Sequence, residues 1–515
     1  MNLPRWARRL GFAAGLLATA GAAAGLTWLL REQPWKVTVP YLPDTAAEAA
    51  DAALVADALA ALPAASGRGP DLVLIVLDTV RADHLELYGY PYATMPRLAT
   101  WAREALVYER AVSTSSWTLP AHASLFTGQL PALHGAHGRV VAETGHEGRR
   151  HRMLERPLRP GTETLASRLQ ERGYATLGIV ANKAFLDPAW GLDQGFDLWI
   201  CEQPARGLAN LAYIRGDRVT SMALAAVDGL LPRLDDPAGE GRAPFFLFVN
   251  YMEGHAPYVA REGYVRDPSR LALFQGSFPS RTRAGRAALA GEDDLPARLR
   301  AGWEEAYDAE LRFLDEQVGR LLAGLDQRGI GQDAFIVILS DHGEYFGEHR
   351  LVEHSKDLYE PGLRIPLLAR GPDVLAGRTD ELTEITALPG WLLERAGGEP
   401  LPPAPATGGL VIAELYGSRS RDLFNNRWGA RFNRVRRAYR RGEHKVILGS
   451  DGSFEAYDLA TDPEELTDLR DAAWARELAA EARAWESGKP VGEEGGGEEE
   501  ERGDVEALRE LGYIE

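Results

Sequence analysis

Several side chains capable of chemistry fall at or just after apolar runs. The run "DLVLIVLD" is of strand length and finishes on Asp78; "AFIVILSD" finishes on Asp341, with His342 beside it; "FFLFVN" leads into a short cluster holding Glu253 and His255. Unbroken apolar runs of this length read as strands buried on both faces, as in a parallel sheet. Asp78, Asp341 and His342 make a donor set suited to a divalent cation. Two carboxylates and an imidazole are harder than a thiolate site and softer than an all-oxygen one, so Mg, Ca, Mn and Zn all stay open. The single cysteine, Cys201, excludes an internal disulfide and a Cys-rich metal cage.

These residues need a sheet to bring them together. Helical periods lie between the apolar runs, most clearly Tyr307, Leu311, Leu314, Val318, Leu321, Leu322 and Leu325, which share one face of a long amphipathic helix stopped by Gly329. Strands alternating with helices predict an α/β fold: a large, mostly parallel central sheet flanked by helices, with ligands bound outside the carboxyl ends of its strands. After about residue 410 the pattern shifts to shorter segments such as "HKVILG" and "FEAYDL", which predicts a small C-terminal α+β subdomain over 406–485 behind a catalytic domain over 70–405.

Between the first and later strands lies "TSSWTLPAHASLFTGQLPALHGAHG". It is preceded by "VLIVLDTVRADHLELYGY" and followed by "GYATLGIVANKAFLDPAWGLDQGFD", "FVNYMEGHAPY", "ILSDHGEYFGEH" and "EHSKDLYEPGLRIPLLARGP". In this order the blocks resemble the sulfatase family of the alkaline phosphatase superfamily, over residues 71–470. The resemblance implies an alkaline-phosphatase-like sandwich and a metal-dependent hydrolase of sulfate or phosphate esters. It implies that Thr118 is the nucleophile and a ligand, together with Asp78, Asp341 and His342, of one divalent cation. It gives His122 the place of the family's arginine beside the nucleophile, and His255 that of the histidine which contacts the transferred group or protonates the leaving oxygen. His134, His354 and Lys356 become substrate contacts on the same grounds.

Departures from the family pattern narrow the chemistry. Sulfatases carry a Cys or Ser that is converted to formylglycine; a threonine cannot be, so no formylglycine is expected and phosphoesters are favoured over sulfate esters. A threonine in this place also suits a plain helix cap. Thr79 replaces a second acidic ligand, and the block holding Asn182 and Lys183 is degraded. A two-metal site would have to recruit Glu253, His255 and His354, so one metal is expected. A phosphotransferase passing a lipid-derived group to a glycan, and a catalytically silent scaffold on the same fold, are the competing readings.

The termini bear on location. Arg5, Arg8 and Arg9 precede the uncharged stretch Leu10–Leu30, so residues 1–31 read as a transmembrane anchor or a cleaved signal peptide, either of which puts the body outside the cytoplasm, in the periplasm or at the cell surface. Residues 32–69 read as a linker, with a short helix near Ala46–Leu62, and 486–515 as an acidic tail. A net charge of −18 excludes nucleic acid as a partner, because phosphate contacts need clustered Lys and Arg. The expected partners are a sulfate- or phosphate-ester substrate, possibly glycan- or lipid-linked, and a membrane.

Overall fold

The computed structural model describes residues 45–145, 148–201, 213–234, 242–273, 278–397 and 409–488. The expected anchor and most of the acidic tail lie outside these residues. No described helix is long and apolar enough to cross a membrane.

The apolar runs form one nine-stranded sheet. Its strands are β1 (Leu72–Leu77), β2 (Leu106–Val112), β3 (Ala175–Val180), β4 (Leu198–Ile200), β5 (Phe245–Tyr251), β6 (Phe335–Leu339), β7 (Arg364–Ile365), β8 (Leu367–Arg370) and β9 (Gly377–Glu384). They run in the order β7-β2-β8-β6-β1-β5-β3-β4, with β9 against β2. The sheet is mixed, with five parallel pairings, β9 on β2 among them, and three antiparallel ones, so the expected mostly parallel sheet carries an antiparallel part. β4, β3, β5, β1 and β6 are parallel neighbours, but β8 runs antiparallel to both β6 and β2, and β7 antiparallel to β2. Pro366 separates β7 from β8, so the block "LRIPLLAR" supplies two short strands rather than one.

β1, β3, β5 and β6 are buried along their whole length, as their unbroken apolar sequences require. Covering helices include α2 (Thr118–Thr127), α3 (Gly216–Leu234) and α4 (Ala297–Gln327), preceded in the chain by α1 (Thr45–Leu59). The seven periodic residues of α4 are buried, Leu322 included. Helix α1 corrects the linker reading of its stretch. Val55 and Leu59, one turn apart, join the main core, and Asp51 is ion-paired with Arg218 of α3. Helix α1 is therefore part of the body.

The C-terminal region forms a separate antiparallel sheet from β10 (Val411–Tyr416), β11 (Val435–Arg441), β12 (His444–Gly449) and β13 (Phe454–Asp458). Helix α5 (Ala473–Gly488) covers it, and together they hold a small core around Ile412, Tyr439, Val446 and Leu478. This sheet reaches the main domain directly: Glu414 N donates to Thr114 O at 2.8 Å, just before α2 begins.

Candidate active site

Strand register assembles the carboxylates. Val76 of β1 pairs with Leu339 of β6, and Leu77 with Tyr251 of β5, so three parallel strands end side by side and Asp78, Asp341 and His255 leave from adjacent ends. Thr79 adopts a left-handed backbone (φ 59°), and its N–H donates to Asp341 Oδ1 at 3.1 Å, beside the His342 N–H at 2.8 Å. The turn after β5 passes so close that a Cβ on Gly254 would lie 2.8 Å from Asp78 O, which leaves room only for glycine. Asn182, at the end of β3, donates through Nδ2 to Asp78 Oδ2 at 3.0 Å.

These contacts use one oxygen of each carboxylate. Asp78 Oδ1 and Asp341 Oδ2 are buried and make no hydrogen bond among the described residues. Burial pushes Asp78 up to about 8, with the charge of Asp341 adding to it, and pushes Asp341 up to about 7. A buried unpaired carboxylate is costly unless a cation compensates it. Asp78, Asp341 and His342 each offer a ligand atom within 4.8 Å of the others. The donor set therefore fits a divalent cation.

Thr118 stands beside this set as the first residue of α2. The N-cap is Trp117, so capping does not account for the threonine. Thr118 Oγ1 lies 3.2 Å from His342 Nε2. One turn on, His122 Nδ1 donates to Thr118 O at 3.0 Å and lies 3.5 Å from Asp341 Oδ2. The helix N-terminus directs its partial positive charge to the place where Thr118 meets the carboxylates, a favourable environment for an anion.

The histidines are held as neutral rings. Nδ1 donates to Thr118 O in His122, to Ala256 O in His255 and to Gly343 O in His342, which leaves the lone pair on Nε2 in each. Burial pushes His122 and His255 down to about 3, with the charge of Arg419 adding at His255, and lowers His342 as well. Held neutral by burial, His122 does not bring to this place the positive charge that the family's arginine would.

The three expected substrate contacts fare differently. His134 accepts from Ala136 N at Nδ1 (3.0 Å) and gives its Nε2–H to Ser124 Oγ (3.1 Å), so one nitrogen braces the turn that follows it, the other braces α2, and none is left for a substrate. Lys356 is buried and paired with Asp422. Its position is structural, and Lys356→Met is expected to cost about 3–5 kcal/mol by stranding the Asp422 carboxylate. Urea unfolding of this variant, and of its combination with Asp422→Leu, which should recover most of the loss, checks this. His354 does lie at the site, its ring centroid 4.7 Å from those of both His255 and His342. Its nitrogens are engaged by Glu344 and Arg419, however, and Glu253 Oε1 accepts from Gly216 N; among the described residues neither joins Asp78, Asp341 and His342 in a cluster of candidate ligands. Thr79 Oγ1 bonds back to Asp78 O, Lys183 begins the short helix Lys183–Leu186, and His349 stacks on Tyr359. Asn182 has a firmer place than its degraded block suggested, and Arg419 was not foreseen; nothing local in "YGSRSRDLF" marks it.

With this geometry in hand, comparison with known proteins decides the family. The family model described as Sulfatase matches residues 70–398. The chain belongs to the sulfatase family. Among its relatives, the choline-sulfatase of Rhizobium meliloti is 23% identical over 442 residues, covering 78% of this chain and 82% of that protein. The multifunctional alkaline phosphatase superfamily protein PehA of Trinickia caryophylli is 26% identical over 396 residues, covering 64% of this chain and 74% of that one. The fold matches that of the phosphonate monoester hydrolase of Agrobacterium radiobacter, with a TM-score of 0.58 at 19% identity, over 81% of this chain and 95% of the other. The protein is accordingly an ester-bond hydrolase by family, with sulfatases and phosphonate monoester hydrolases among its neighbours.

Proposed function

We propose that this sulfatase-family protein hydrolyses singly charged esters, phosphodiesters ahead of sulfate esters, through a covalent intermediate on Thr118. The observation that carries the proposal is Thr118 Oγ1 at the N-terminus of α2, 3.2 Å from His342 Nε2 and beside two carboxylates with unpaired oxygens. A divalent cation held by Asp78, Asp341, His342 and Thr118 would supply Lewis-acid polarisation and offset the charge of the ester.

The residues then divide the work. Thr118 Oγ1 attacks phosphorus as the bond to the leaving oxygen breaks. Neutral His255 receives at Nε2, by way of water, the proton that Thr118 gives up, and delivers it to the departing alcohol. In the second half-reaction it takes a proton from water, the water oxygen displaces Thr118, and the proton goes back to the threonine. His122 holds the first turn of α2 against Asp341, and Asn182 orients Asp78.

Charge supports the substrate class. A divalent cation would be balanced by Asp78 and Asp341, and the surrounding imidazoles are neutral. The site accommodates one added negative charge better than two, as the phosphonate monoester hydrolase and choline-sulfatase among its neighbours also suggest. Assays of the full chain on matched aryl esters test this: the phosphodiester should be turned over at least about tenfold faster than the dianionic phosphate monoester, equivalent to about 1.4 kcal/mol, and faster than the sulfate. Preference for the monoester or the sulfate would overturn it. We place the active domain outside the cytoplasm, on the evidence of the arginine-flanked stretch Leu10–Leu30.

A further inference from the structure

The segment Ser418–Asp422, which follows β10, is fastened to Glu353–Lys356 by buried charge pairs. Arg419 donates through Nη1 to Glu353 Oε2 at 2.9 Å and through Nη2 to His354 Nε2 at 2.7 Å. Arg421 pairs with the same carboxylate and donates to Ser280 Oγ at 2.7 Å. Lys356 pairs with Asp422, which also accepts from Ser418 Oγ at 3.0 Å. Arg419, Glu353 and His354 are all buried.

His354 is the point where this fastening meets the reaction centre. Because Nε2 accepts from Arg419, the ring proton sits on Nδ1, which donates to Glu344 Oε1 at 3.1 Å. Held at both nitrogens, the ring is wedged between His342, one of the cation-binding set, and His255, with 4.7 Å between centroids on each side. A ring pinned at both ends has one orientation and one tautomer. Released from Arg419, the ring would lose the donor that fixes its tautomer and would gain a second tautomer.

We propose that Arg419 is a positioning residue: by pinning His354 it sets the placement of His255 and His342, so that a segment of the C-terminal region completes the active site. The guanidinium suits the task because its planar fork reaches a carboxylate and an imidazole nitrogen at once, which a lysine ammonium would serve as a single point. The inference rests on the reading above in one respect, that His255 handles the proton of the departing oxygen.

The experiment compares Arg419→Ala, Arg421→Met and His255→Ala with the parent full chain on 4-nitrophenyl and phenyl esters of one phosphodiester. A leaving group of high pKa depends on proton delivery and one of low pKa much less, so loss of His255 placement should widen the rate ratio between the two. Arg419→Ala is expected to widen it by about tenfold, part of the 10²–10⁴ that proton transfer contributes. Arg421→Met, which loosens the same segment without touching His354, should slow both esters equally. A second readout is the tautomer of His354 by ¹⁵N correlation spectroscopy on metal-free full chain: an Nδ1–H form in the parent, lost in Arg419→Ala. If His255→Ala widens the ratio and Arg419→Ala does not, the proposal is overturned. If His255→Ala leaves the ratio unchanged, the role given to His255 fails, and the tautomer decides on Arg419 alone. An unchanged His354 signal in Arg419→Ala overturns the proposal in either case.

Discussion

Thr118→Val should lower turnover of the favoured ester by about 10³-fold or more while leaving the fold in place and the cation held, less tightly, by Asp78, Asp341 and His342. Valine matches threonine in shape and in its restricted χ1, so the start of α2 and the packing around it are preserved and only the hydroxyl is lost. Thr118 is buried and its N-cap neighbour is Trp117, so the substitution removes no helix cap. Thr118→Ser keeps the hydroxyl but frees its rotamer, and a loss of about tenfold is expected, equivalent to about 1.4 kcal/mol of positioning. Acid quench during turnover followed by intact-mass measurement should show a phosphoryl adduct on the parent and on the serine variant, and none on the valine variant. Substantial turnover by Thr118→Val, without an adduct on any form, would mean that water attacks directly and that Thr118 is only a ligand or a packing residue.

Much of this site is written locally in the chain. Asp78 and the Asp341–His342 pair close apolar runs, and a parallel sheet converts such endings into neighbours because ligands collect at the carboxyl ends of its strands. The spacing of Thr118 and His122 is one helical turn, and they share one face of α2. What was not legible depends on contacts between distant segments. The ionisation of His122 is set by complete burial, which sequence pattern does not report. Arg419 meets His354 across 65 residues, and no periodicity links the two segments. His134 lies where a substrate contact is expected, but Ser124 and Ala136 occupy both of its nitrogens. Strand β9, "GRTDELTE", is largely exposed and polar, so it lacks the apolar signal that revealed β1, β5 and β6. Helix α1 is Ala-rich, and among its described side chains only the hydrophobic Val55 and Leu59 are fully committed to the main core, a signal too sparse to distinguish a docked helix from a linker.

Asp341→Asn should stabilise the metal-free protein while removing cation binding and turnover. Two buried carboxylates face each other in the unloaded site, each with one oxygen lacking a hydrogen bond among the described residues. An asparagine keeps the acceptor that takes the Thr79 and His342 N–H groups at 3.1 and 2.8 Å, and turns its amide toward His342 Nε2, which lies 3.4 Å from Asp341 Oδ2 and whose lone pair it would share with the Thr118 hydroxyl. Removing one buried charge and supplying one donor should raise the unfolding free energy of the chelated protein by about 1–3 kcal/mol. The pH dependence follows from the same two groups. Burial raises Asp78 to about 8 and Asp341 to about 7, above the ordinary carboxylate value, so the folded metal-free state binds more protons than the unfolded chain. Their contribution to stability is present in full below about pH 4 and is lost as pH rises through 7 and 8. Thermal melts in chelator should therefore show the parent losing stability progressively between about pH 4 and pH 8 relative to Asp341→Asn, and addition of Mn or Zn should remove that difference in the parent by taking the place of the protons. If the chelated parent is equally stable across this range, and Asp341→Asn is less stable at every pH, then the two carboxylates carry no penalty and the cation site assigned to them is wrong.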